Sequence, residues 1–370
     1  MAAADGPMAA LLHVCKAACE EMRPFIEAAY ALLAIAPEGA TRKEDKSHFS
    51  LADGVVQAMV SRLLHRHVAD VLGEEDEKII NIDTPPFYAG ECAAPAELES
   101  MIVALRERID ALGASLPAHE AYKRLLLVID PIDGSKEFCT GRGEQCSICI
   151  GFADTSTGMA VAGLVYRPLC PQRSYALGCA AEGVAEASLR SYEPLAGGES
   201  LATGGGVSGF VSALSEELGY SMRRTGCAGN KALRVLEEAC GCYIQDRGVK
   251  RWDTCAAQAA LEAHGGCLVQ LQPLVTAPPD APPPLVRYHY VKGATNADFI
   301  PGVINLKKYN AANAALLDKD QPRKAMHAEE LHPYANALGM VALPKADEAS
   351  VEAVRKAVLR AAAREAPAFD

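Results

Sequence analysis

The chain lacks any apolar run long enough to span a membrane, although half of its 370 residues are hydrophobic. It also lacks a basic excess. A formal net charge of −11 argues against a nucleic-acid surface built on general positive charge. A polyanion is admissible only where bound cations or local basic residues reverse the field. A secretory signature is missing: the apolar N-terminal stretch is broken by His13 and Lys16, runs into Glu20 and Glu21, and has no basic segment before it. It predicts an amphipathic helix, and a cytoplasmic location is expected. No internal repeat is visible. Cysteine is plentiful, but its 13 copies are odd in number and irregular in spacing. The C-x-x-C from Cys146 to Cys149 has no second copy to complete a zinc site, and on a strand its two thiols face opposite sides. Reduced, mostly buried cysteines are expected.

What the chain does have is a strand that ends in acid. Leu125-Leu126-Leu127-Val128-Ile129 runs directly into Asp130-Pro131-Ile132-Asp133-Gly134-Ser135. An uninterrupted run of β-branched and aliphatic residues reads as a buried strand. Two carboxylates at its exit stand where a rigid core meets solvent. Hard divalent cations such as Mg²⁺ take oxygen ligands from one or two carboxylates and leave positions for substrate phosphate. The Gly134-Ser135 step offers amides and a hydroxyl at a helix start, a setting that suits phosphate. Taken alone, a D-x-x-D is more simply a capped turn. Further acidic groups stand at Gly73-Glu74-Glu75-Asp76 and at Trp252-Asp253-Thr254-Cys255-Ala256. Asp253 opens an Ala-rich helix, where an acid also complements the helix dipole. Asp53, in Ser50-Leu51-Ala52-Asp53, reads equally as part of a capping box.

In combination, the G-E-E at 73–75, the D-P-I-D-G-S at 130–135 and the W-D-T-C-A at 252–256 resemble the lithium-sensitive, magnesium-dependent phosphomonoesterases of the inositol monophosphatase superfamily. The resemblance runs from about residue 8 to about 317, and the tail beyond 318 matches nothing. It implies α+β and α/β organisation in a layered α/β/α/β/α sandwich. Residues 1–190 would form an N-terminal α+β domain with an antiparallel sheet and most metal ligands. Residues 191–370 would form a C-terminal α/β domain that completes the metal site and the substrate cleft. Two branches compete. Phe49 to Asp53, Gly143-Glu144-Gln145-Cys146 and Leu285-Val286-Arg287-Tyr288-His289 resemble inositol polyphosphate 1-phosphatases. Asp133 to Phe138 and Ala228-Gly229-Asn230-Lys231 resemble 3′(2′),5′-bisphosphate nucleotidases. The first branch is favoured, because the insertions fall where it carries them.

The resemblance also implies roles. Glu74, Asp130, Asp133, Asp253 and the Ile132 carbonyl would hold two or three Mg²⁺, one of whose positions Li⁺ usurps as inhibitor. Asp53, Ser135 and Glu74 would be catalytic, the Ser135 hydroxyl standing where threonine is commoner and orienting the attacking water. Gly134, Ser135, Lys231 and Asp253 would contact substrate or its phosphate. The expected reaction is direct attack of water that removes the 1-phosphate from an inositol polyphosphate such as inositol 1,4-bisphosphate. The alternative is hydrolysis of adenosine 3′,5′-bisphosphate to AMP. A catalytically inactive binding protein on the same fold is a further possibility, since fold does not fix function. The partner is a small phosphate ester, not nucleic acid or membrane, for a monomer or homodimer.

Locally, the patterns predict helices over 8–34, 50–72, 96–112, 210–218 and 253–264, and a basic-faced helix over 351–363. Strands are predicted over 125–130, 145–152, 161–166 and 174–177, in an antiparallel sheet. A polar hinge covers 37–46, an irregular loop 81–95, and a proline-rich extended loop 278–284. Gly204, Gly206 and Gly209 satisfy a dinucleotide fingerprint formally. The acidic partner about twenty residues on is replaced by Arg223-Arg224-Thr225, so the run reads as a flexible turn.

Overall fold

Helix α1 (Pro7–Ile35) buries Leu11, Cys15, Ala18, Met22, Phe25 and Ala29, a spacing of three and four that fixes one face against the core. A computed structural model of the chain describes residues 6–35, 40–42, 48–190, 200–204, 206–246, 248–278, 280–291, 336 and 338–367. Strands β1 (Ala40–Arg42) and β2 (His48–Ser50) pair within the expected polar hinge; its remaining positions, 37–39 and 43–46, lie outside the described residues. Helix α2 (Leu51–Leu64) follows at once.

The helix expected over 50–72 ends at Leu64. Asp70–Gly73 is instead a strand, β3, paired in parallel with residues 126–129. The apolar spacing suits either state here. A backbone ladder to a buried neighbouring strand outweighs helical continuation, and Val71 fits a pleated surface. The loop expected over 81–95 contains short strands β4 (Ile80–Asn81), β5 (Tyr88–Ala89) and β6 (Cys92–Ala93), which lead into α3 (Ala96–Ser115).

Next come β7 (Leu125–Asp133), α4 (Ser135–Cys139), β8 (Ser147–Asp154), β9 (Ala160–Tyr166), β10 (Tyr175–Cys179) and β11 (Val184–Ser188). The first sheet has the order β11-β10-β9-β8-β7-β3 and is antiparallel except at its β3 edge. Along β7, Leu127 and Ile129 enter the core beneath α1–α3, while Leu126 and Val128 enter a second core on the other face. This is the two-residue alternation of a strand buried on both sides.

The domain junction expected near Ser191 lies outside the described residues. Beyond it stand β12 (Ser200–Thr203), α5 (Gly209–Leu218), β13 (Ser221–Arg224), α6 (Ala228–Leu236), β14 (Cys242–Gln245), α7 (Arg251–Ala263), β15 (Cys267–Gln270), α8 (Leu271–Thr276), β16 (Met340–Leu343) and α9 (Glu348–Arg364). The second sheet has the order β13-β12-β14-β16-β15. Helices α6 and α7 lie between the two sheets, and α5 and α9 cover the outer face of the second. The layers are therefore α/β/α/β/α. The tail beyond 318, unmatched by motif, supplies β16 inside the sheet and the packed helix α9, whose Val351, Val354, Ala357, Val358 and Ala361 are buried. All 13 cysteines are free, and all but Cys139 are buried. No helix among the described residues is long and apolar enough to cross a membrane.

Candidate active site

Two carboxylates three residues apart on a regular strand point to opposite faces. An extra residue in β7 prevents this: Asp130 pairs with Cys149 but Asp133 with Ser147, so the register slips between them. Pro131, which has no N–H for the ladder, stands within the slip. Both carboxylates consequently turn toward the helices between the sheets. The third arrives on α7, where Asp253 accepts the Lys250 N–H at 2.6 Å and closes the first turn. That helix rests on β8 and β9 at two glycines. A Cβ on Gly151 would lie 2.7 Å from Ala256 N, and one on Gly163 only 2.4 Å from Ala256 O. Larger residues there would lift the start of α7 away from β7. Oxygens of Asp130, Asp133 and Asp253 come within 4.8 Å of one another.

The three are held differently. Asp133 accepts from Ser147 Oγ at 2.7 Å and from the Ala228 and Gly229 amides at 3.0 and 2.7 Å. Asp130 is buried, and its Oδ1 meets no hydrogen-bond donor among the described residues. Burial, with Glu74, Asp133 and Asp253 nearby, pushes the Asp130 carboxyl well above its ordinary range. Burial, then Asp133 and Glu74, pushes Asp253 up to about 7. Burial raises Asp133 too, against the lowering effect of Ser147 and the two amides. A buried, unpartnered oxygen amid like charges costs free energy unless a cation completes it. The donor set is oxygen throughout, which fits Mg²⁺.

Glu74 continues from the end of β3, its N–H donating to Ile129 O at 3.1 Å, which places it beside Asp130 at the more open edge. The buried neighbour Glu75 is fixed through its backbone by Gln57, whose Oε1 accepts the Glu75 N–H at 2.8 Å. Asp53, buried on α2, accepts the Ser50 N–H and hydroxyl at 2.9 and 2.6 Å on Oδ2. Its Oδ1 accepts the Ser135 hydroxyl at 2.7 Å, and that hydroxyl also lies 3.2 Å from the Ile132 carbonyl. Ser135 thus ties Asp53 to the end of β7. Gly134 makes the turn at φ +96°, and a Cβ there would fall 1.9 Å from Cys227 Sγ. Only glycine meets both conditions.

Lys231 is buried on α6, 3.1 Å from Gln245 Oε1 and with its ammonium 4.6 Å from the centre of the Tyr243 ring. Burial lowers its pKa, and Asp133 opposes this. It lines a cavity of about 500 Å³ with Lys136, Arg142, Gly204, Arg224 and Thr225. The cavity starts one residue past Ser135 and one residue before Ala228. Sequence reasoning missed Ser147, the two α6 amides and Arg224. The Ala228-Gly229 pair stood inside a recognised motif, but backbone donors leave no side-chain signature.

The profile of the inositol monophosphatase family matches residues 11–287, a span that contains every site residue named above. The chain belongs to this family. It is 27% identical over 237 residues to mouse 3′(2′),5′-bisphosphate nucleotidase 1, covering 60% of this chain and 70% of that protein. It is 26% identical over 245 residues to mouse inositol polyphosphate 1-phosphatase, covering 55% and 61%. Among solved structures, an IMPase/NADP phosphatase complexed with NADP and Ca²⁺ aligns over 95% of this chain and 96% of its own, with a TM-score of 0.51 and 12% identity. That likeness supports the layered fold.

Proposed function

We propose that this family member is a phosphomonoesterase acting on a small substrate that carries a second phosphate. The observation that carries the reading is the buried, unpartnered Asp130 Oδ1 among like charges, one turn away from a cavity lined by four basic side chains. Asp130, Asp133, Asp253, Glu74 and the Ile132 carbonyl would hold two or three Mg²⁺, which would supply charge to the phosphate and acidity to the attacking water. The chain's own groups do the positioning. Asp53 takes the Ser135 proton in a hydrogen bond, which leaves the Ser135 oxygen free to accept from the water. Glu74 borders the open side from which the water comes. The Gly134 and Ser135 amides face the transferred phosphate, Asp253 the leaving group, and Lys231 the second phosphate, helped by Lys136, Arg142 and Arg224. Lithium sensitivity belongs to the same proposal.

Two substrates fit. Identity to bisphosphate nucleotidases supports adenosine 3′,5′-bisphosphate. The cavity lining supports an inositol polyphosphate such as inositol 1,4-bisphosphate, because among the described residues it offers charge and hydrogen bonds but no aromatic face for a base. Phosphate release from these two compounds and from inositol 1-phosphate, assayed side by side with Mg²⁺, tests the proposal. Both bisphosphates are expected to outrun the monophosphate. Equal kcat/KM on inositol 1-phosphate would remove the role given to the second phosphate.

A further inference from the structure

Asp133 is gripped by two segments, and a cysteine immediately precedes the gripping residues in each. Cys146 comes before Ser147, whose hydroxyl bonds Asp133. Cys227 comes before Ala228 and Gly229, whose amides bond the same carboxylate. The two thiols border the space left by the missing side chain of Gly134. Cys146 Sγ lies 3.3 Å from the Gly134 carbonyl, and a Cβ on Gly134 would stand 1.9 Å from Cys227 Sγ and 3.6 Å from Cys146 Sγ. Cys227 holds φ +68°, a backbone region that a non-glycine residue enters only when its surroundings impose it. Cys146 is sealed in the core, whereas Cys227 lines the cavity. One thiol is thus reachable by a small oxidant, and its partner waits behind it.

We propose that Cys146 and Cys227 form an oxidisable pair whose disulfide disables the Asp133 cradle. The oxidant is a low-molecular-weight disulfide that enters the cavity. The Cys227 thiolate attacks one of its sulfurs, the sulfur–sulfur bond breaks, and one thiol leaves with a proton. Cys146 then attacks the mixed disulfide and expels the second thiol, so the protein loses two hydrogens and the oxidant becomes two thiols. The neighbouring Cys146 thiol and burial push the Cys227 thiol up, which makes the exchange slow and favours alkaline conditions. Joining the two thiols in a bond of about 2 Å draws the two gripping segments together. A shift on the order of 1 Å at a reacting site costs about 10²-fold.

The test treats the full chain with oxidised glutathione at alkaline pH, then follows peptide mapping, Mg²⁺ affinity by calorimetry and phosphate release. The expected result is a Cys146–Cys227 cross-linked peptide, Mg²⁺ affinity and turnover each at least tenfold lower, and recovery with dithiothreitol. Cys146→Ser, which keeps a donor toward the Gly134 carbonyl, should show normal basal activity, stop at a glutathione adduct on Cys227 with no cross-link, and keep its Mg²⁺ affinity. A stable glutathione adduct on Cys227 of the wild-type protein without the cross-link would overturn the proposal. So would a cross-link that leaves Mg²⁺ affinity intact, or an equal loss of Mg²⁺ affinity in Cys146→Ser. The cross-link and the affinity are read without turnover, so a protein that releases no phosphate would count against the proposed reaction alone.

Discussion

The acidic cluster and the basic cavity lie side by side, separated by the Gly134 turn, yet they are built on opposite terms. The cluster places three carboxylates within 4.8 Å on a central strand and a helix start, each held by the fold in advance. It is crowded with like charge, and Asp130 Oδ1 has no donor among the described residues. The cavity collects Lys136, Arg142, Arg224 and Lys231 from four separate segments, and Lys231 already has a partner in Gln245. Arg142 pairs with Glu137, while Lys136 and Arg224 are exposed to solvent. Under the proposed function the difference divides the labour: the cluster would govern the reaction itself, and the cavity would govern which molecule stays long enough to react.

The largest expected effect comes from the cluster. Asp130→Asn should lower kcat on the order of 10³-fold, the scale of losing a positioned charge at the reacting centre. In EDTA the same variant should melt no lower than wild type, since it removes one of several mutually repelling buried charges. A marked drop in the melting temperature would mean that Asp130 is structural.

Next in size is Ser135. Ser135→Ala should lower kcat about 10²-fold with little change in Mg²⁺ affinity, because the carboxylates remain. Ser135→Thr keeps the hydroxyl that Asp53 accepts and should stay within about tenfold of wild type. Near-normal kcat in the alanine variant would show that the hydroxyl does not orient the water.

Cavity substitutions should change a different quantity. Lys231→Ala, and to a lesser degree Arg224→Ala, should raise KM for a bisphosphate about tenfold while kcat moves less, the signature of lost binding. With inositol 1-phosphate the same variants should change KM little. Loss of kcat alone in Lys231→Ala would erase the proposed division between the two regions.

The smallest effect is on stability. Asp253 has a folded-state pKa near 7, above its unfolded value of 3.8. Between those values the folded protein holds the proton more tightly, so this contribution is intact at low pH and is lost as pH rises through 7. In EDTA, the melting temperature of wild type relative to Asp253→Asn should therefore fall from about pH 4 to 7. Saturating Mg²⁺ should abolish that trend. A wild-type curve that rises relative to the variant over the same range would reverse the assignment.

The cluster was legible in sequence because acids at the end of an apolar strand have no simple packing role, and Asp130, Asp133 and Asp253 do converge. Their shared orientation was not legible. An odd spacing places two strand residues on opposite faces, and only the register slip at Pro131, visible in pairing alone, corrects it. The cavity was read least well. Lys231 carried a motif, whereas Arg142 and Arg224 resembled ordinary surface charge until folding brought them together. The strand at Asp70–Gly73 and the tail strand Met340–Leu343 escaped for a related reason: short segments gain their state from the neighbour they pair with, not from local propensity.

Under the proposed function the three carboxylates hold divalent cations for phosphate-ester hydrolysis. The most direct measurement is a Mg²⁺ titration followed by calorimetry and by phosphate release from the preferred bisphosphate, on wild type and Asp130→Asn together. The account predicts that turnover rises with cation occupancy in wild type, vanishes in EDTA, and stays near background in the variant at every Mg²⁺ concentration. Turnover undiminished in EDTA, or an Asp130→Asn protein as active as wild type, would contradict it.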